Sequence, residues 1–149
     1  VPDSPHDDFV DAIGLHFEAM GAPKMMGRIL AWLMVCEPPV QSSQQLMDQL
    51  QTTSGTISTN TRLLMLHELI ERVEVPGTRA SHFRLVPDAS QKMMQAALKD
   101  ILGWKAAADR AVESMGSNTP PAVSELAEFS EFLLNGLSDL MVAWQEKHP

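Results

Sequence analysis

Seven of the eleven residues in "TTSGTISTNTR", positions 52 to 62, are Ser or Thr, and the stretch closes on Arg62. Short hydroxyl side chains hydrogen-bond to phosphate oxygens and base edges, and Arg pairs with guanine or phosphate. Apart from Arg62 these residues are middling or poor helix formers, yet "LLMLHELIERV" follows and reads as helix. Bulky side chains at that point would hold the backbone away from a duplex. Short ones let it approach, and the free N–H groups of a helix start favour phosphate. Taking Ile57, Thr61 and Leu64 as inward, the outward set is Ser54, Gly55, Thr56, Ser58, Thr59 and Arg62.

Other chemistries are less well supplied. "HELIE" at 67–71 echoes the zinc-protease pattern, but Glu71 stands where the second imidazole is needed. His6, Asp7 and Asp8 form an acidic opening rather than a ligand set, and His16 reads as a helix-face residue. Cys36 is the only cysteine, so no intramolecular disulfide forms. It ends a very apolar stretch, where a free thiol is normally buried and inert. No Gly-rich phosphate loop, nucleophile elbow, CxxC pair or usable carboxylate pair is present. Neither catalysis nor a cofactor is expected.

The chain has 149 residues, 44% of them apolar, enough for one ordinary domain or a small module with arms. No apolar run nears the roughly 18 residues of a membrane span. The acidic "VPDSPHDD" is unlike a signal peptide, and the cytoplasm is the expected compartment. The net charge of −8 argues against a phosphate partner, but its distribution matters more. The balances over residues 1–19, 20–86 and 87–149 are −5, +1 and −4. The middle of the chain is spared the acidity of its ends.

Several elements must position the hydroxyl-rich stretch. Phe9, Ile13, Phe17 and Met20 mark an amphipathic helix over 6–20, broken by "GAP". "KMMGRILAWLMVC" is apolar on most faces and predicts a central helix ended by Pro38 and Pro39. "SSQQLMDQL" predicts a short helix with a Ser42–Gln45 capping box. Thr53 suits the N-cap of the next helix, whose inward face continues to Leu69 and Ile70. "RVEV" and "HFRLV" alternate about the turn signal "PGTRAS", which predicts a β-hairpin with Arg79 near its tip. Two long helices follow. Met94, Leu98, Ile101, Ala108, Val112 and Met115 stripe the first; Leu126, Phe129, Leu133, Leu137, Leu140 and Trp144 stripe the second. Between them Pro120 and Pro121 open the last helix.

A short helix, a turn, a second helix and a hairpin make a winged helix-turn-helix. The fold expected is therefore mainly α with a small β-hairpin wing. Residues 1–20 form an N-terminal helix joining the dimerisation region, 21–88 the winged module, and 89–149 the long dimerisation helices. A monomer would expose part of the long stripes, and large exposed apolar patches mark interfaces. Trp32 and Trp104, with Phe17 and Met20, are candidate walls of an effector pocket.

"LLMLHELIERVEVPGTRASHFRL" resembles the end of the recognition helix and the wing of MarR-type transcriptional regulators. "GAPKMMGRILAWLMVCEPPVQSSQQLMDQLQTTSGTISTNTRLL" is most similar to the branch typified by the glycine-betaine-synthesis repressor. The resemblance implies a homodimer on a pseudopalindromic operator of double-stranded DNA, with repression relieved by a small ligand or oxidant. It places DNA contact on Ser54, Thr56, Ser58, Thr59 and Arg62, with Arg79 in the wing. The chain departs from the family at a short wing tip with one Arg, and at Asn60, where a small or apolar residue is usual. The alternative is a winged-helix protein-interaction module without sequence-specific DNA binding, which the acidic total and sparse wing favour.

Overall fold

A computed structural model describes residues 5–149; Asp3 of the acidic opening lies outside them. The order is α1 (Pro5–Ala19), α2 (Lys24–Val35), β1 (Gln41–Ser42), α3 (Ser43–Leu50), α4 (Ser54–Leu66), β2 (Ile70–Val73), β3 (His82–Leu85), α5 (Ala89–Met115), a single 3-10 turn (Gly116–Asn118) and α6 (Pro121–Lys147). Two compact units result, the first ending at Lys92 and the second spanning Met93–Pro149.

In the first unit α1 packs against α2. Their approach is close because position 27 is glycine. A Cβ there would lie 2.8 Å from both the Ile13 carbonyl oxygen and the Phe17 ring. α1 stops at Gly21, whose φ of 81° closes a left-handed cap: Ala22 N–H donates to Phe17 C=O at 2.9 Å and Gly21 N–H to Glu18 C=O at 3.0 Å. α2 is the central helix, with Met26, Ile29, Leu30, Ala31 and Leu33 all buried. The expected capping box opens α3. Gln45 N–H donates to Ser42 Oγ at 3.1 Å, and Ser42 N–H to Gln45 Oε1 at 2.7 Å.

The sheet has three antiparallel strands in the order β1–β3–β2. β1 pairs Gln41 with Phe83 and Ser42 with His82. It was not expected, since two residues show no alternation. Gln41 is polar yet buried, and it is satisfied: its Nε2 donates to Pro38 C=O at 2.7 Å and its Oε1 accepts from Trp32 Nε1 at 3.3 Å.

The hairpin's first strand starts earlier than the sequence suggests, at Ile70 rather than Arg72, and α4 ends at Leu66. Leu69 and Ile70 are buried as expected, but beyond the helix. Glu68 takes a φ of 56°, Leu69 N–H donates to Leu64 C=O at 3.0 Å, and Glu68 N–H donates to Met65 C=O at 2.9 Å. That pair of bonds is a Schellman cap, which closes the helix and redirects the chain into β2. Lys92 lies near this corner, 3.8 Å from Glu68 and 3.4 Å from Asp88.

The second unit holds α5 from Met93 onward and α6, joined by the 3-10 turn; α5 and α6 are each 27 residues long. Pro120 caps α6 and Pro121 occupies its first turn. Within Met93–Pro149 only Ala108 and Ser130 are buried.

Candidate nucleic-acid interface

Helix α4 opens at Thr53, whose Oγ1 accepts from Thr56 N–H at 3.3 Å and lies 3.0 Å from Thr56 Oγ1. The hydroxyl of Thr56 thus has a local partner, and the residue is half-buried. Ser54, Gly55, Ser58, Thr59 and Arg62 are exposed. Ile57, Asn60, Thr61 and Leu64 face inward. Thr61 satisfies itself by donating Oγ1 to Ile57 C=O at 2.7 Å, a bond open to a mid-helix Thr. Asn60 takes a buried position. Its Nδ2 donates to Thr56 C=O at 2.8 Å, while its buried Oδ1 has no partner among the described residues. Leu66, 75% exposed, ends the helix on a bulky side chain.

Among the described residues neither Arg62 nor Arg79 makes an ion pair, whereas Arg28 pairs with Asp11 at 3.0 Å and Arg84 with Glu71 at 2.6 Å. The cations of α4 and the wing tip keep their charge available. Arg79 sits in the loop between β2 and β3 and is exposed. Pro76 and Gly77 form its turn, with Gly77 at φ 84° and Thr78 N–H donating to Val75 C=O at 3.4 Å. That is a type II turn, whose third residue must take positive φ.

The effector-pocket candidates differ in exposure. Phe17 is buried against Gly27. Met20 is exposed at the end of the same helix region. Trp32 is half-buried with its indole N–H committed to Gln41. Trp104, 63% exposed, belongs to the second unit.

The rival sites resolve structurally. His67 is exposed at the C-cap of α4, and Glu71 lies in β2 on Arg84, so the two do not share a helix face. Cys36 is buried, and that burial, with Glu37 adjacent, raises its thiol above the ordinary range. That disfavours the thiolate, the form in which a cysteine reacts. No helix among the described residues is long and apolar enough to cross a membrane.

The sequence reading missed Arg72. It stands in β2 with its guanidinium over Phe83 and lines the same concave wall as Arg79. Only the strand register, Arg72 opposite Phe83, reveals this.

No family model matches the chain. A MarR transcriptional regulator from Methanosarcina mazei Go1 is similar at 18% identity, over 85% of this chain and 86% of that one, with a TM-score of 0.45. A solved structure described as a transcriptional regulator is 31% identical, covers 96% of this chain and 99% of its own, and has a TM-score of 0.71. The HTH-type transcriptional regulator MmpR5 of Mycobacterium tuberculosis (strain ATCC 25618 / H37Rv) is 33% identical over 143 residues, 94% of this chain and 87% of its own length. With that identity along nearly the whole of both chains, and a hydroxyl-faced α4 beside a wing, the chain belongs to the HTH-type transcriptional regulators.

Proposed function

We propose that the chain works as a cytoplasmic homodimer that reads a pseudopalindromic operator and represses transcription until a small-molecule effector releases it. The observation that carries this is the exposed face of α4: Ser54, Ser58, Thr59 and an Arg62 with no carboxylate partner among the described residues. Ser54 and the helix-start N–H groups take phosphate, Ser58, Thr59 and Arg62 meet base edges, and Arg79 enters the adjacent minor groove. Thr56 contributes less than its neighbours, because its hydroxyl already lies 3.0 Å from Thr53 Oγ1.

Dimerisation is supported by the second unit. Leu102, Trp104, Phe129, Phe132, Leu140 and Val142 are all more than half exposed. Apolar exposure on that scale is normally covered, and a second copy is the commonest cover. Two winged modules would then present their α4 helices roughly 34 Å apart, one turn of duplex. The effector would contact Phe17, Met20, Trp32 or Trp104. The resemblance of residues 21–64 favours the glycine-betaine-synthesis repressor branch of the MarR-type family.

A mobility-shift titration on the protein's own upstream region, at two salt concentrations, tests the reading. Tight, salt-sensitive binding is the expected outcome. Absence of a shift at low salt would leave the protein-interaction module, which the net charge of −8 favours.

A further inference from the structure

The wing carries one Arg at its tip, but the hairpin brings a second into the same concavity. Arg72 stands opposite Phe83 in the β2–β3 ladder. Its guanidinium carbon lies 5.7 Å from the centre of the Phe83 ring. Phe83 is 2% exposed and fixed in the core, so the ring is a rigid platform for a planar cation. In the adjacent register Glu71 is taken by Arg84 at 2.6 Å. Arg72 has no carboxylate partner among the described residues. Arg72 and Arg79, with Glu74, Thr78 and Ser81, line one concave wall along the wing. Both line it because the chain doubles back at the Val75–Thr78 turn. Two guanidinium groups against the one carboxylate of Glu74 leave that wall net positive.

A preset guanidinium fork fits a phosphate, because planar N–H donors match its oxygens. We propose that Arg72, held on Phe83, is a backbone-phosphate contact of the wing, working beside Arg79 on the duplex that α4 faces. This rests on the DNA-binding role proposed above for α4 and the wing. A phosphate contact carries no sequence information, so it acts on any duplex.

The experiment measures binding of the full chain to a short duplex of arbitrary sequence across a salt series. Wild type is compared with Arg72→Met, Arg72→Lys and Arg79→Ala. Arg72→Met keeps an apolar stem over Phe83 and removes the charge. It is expected to lower the steepness of log K against log salt by about one per protomer, with the melting temperature close to wild type. Arg72→Lys is expected to keep the wild-type steepness. An Arg72→Met slope equal to wild type would overturn the assignment. So would an Arg72→Lys loss as large as that of Arg72→Met, since the charge would then not be what matters. Failure of wild type itself to bind at low salt would instead sink the DNA role of α4 and the wing, which separates the two.

Discussion

The two units use apolar residues in opposite ways. In the first, Ile29, Leu30, Leu46, Ile57, Leu64 and Phe83 are essentially sealed from solvent. In the second, Met93–Pro149, only Ala108 and Ser130 are buried, while Phe132 is 72% exposed and Leu140 66%. The first unit closes a core of its own. The second carries as regular a pattern with nothing of its own to close over it. Regular periodicity therefore signals burial somewhere, not burial within the same chain.

The largest expected effect sharpens this contrast. Leu64→Ala removes a fully buried side chain from the meeting point of α4 and its cap, and should cost about 2–5 kcal/mol in urea unfolding. Phe132→Ala should change the unfolding of dilute protein by less than about 1 kcal/mol. It should instead weaken self-association, read by sedimentation. If Phe132→Ala were as damaging as Leu64→Ala in dilute protein, the contrast would fail.

Gly27→Ala comes next. The added methyl meets a backbone carbonyl and a packed ring at 2.8 Å, and overpacking of that kind costs about 1–3 kcal/mol. A thermal melt indistinguishable from wild type would mean that α1 is loosely seated. On the DNA side, Arg62→Ala should weaken specific binding by about 1–3 kcal/mol and narrow the gap between operator and random duplex. Equal losses on both would remove its base contact.

The smallest effect concerns Glu68, a non-glycine residue in the left-handed region. That conformation costs an L-residue roughly 1–2 kcal/mol. Glu68→Gly relieves it, less the extra entropy of glycine and a 3.8 Å contact with Lys92 that is exposed and weak. A net gain of up to about 1 kcal/mol is expected in thermal or urea unfolding, and a loss would show that the Lys92 contact matters more than the strain.

Glu68 also shows where sequence reading stops. The caps at Ser42 and Thr53 were legible because each is a local bond between a hydroxyl and an N–H a few residues on. The stripes of α5 and α6 were legible because their spacing repeats. The end of α4 was not, since Leu64, Leu69 and Ile70 suit both a continuing helix and a cap followed by a strand. A glycine would have marked the cap, and a glutamate there gives no sign. β1 is too short for any period, and the burial of Gln41 depends on Trp32 and Pro38, which only the folded chain assembles. Arg72 was passed over for the same reason: its platform lies on another strand. Within the site, the outward face of α4 followed from helical geometry, but the local engagement of Thr56 did not.

Ser42 closes β1 and caps α3, and the next residue, Ser43, donates its N–H to Ser81 C=O at 2.9 Å. Ser81 is the far end of the wing loop. That loop is thus moored on one side to the first helix of the helix-turn-helix and left unsecured at its tip. Amides near Ser43 should exchange with solvent as slowly as the core, and those of residues 76–79 far faster. One edge of the wing is thus fixed by the same residues that open α3.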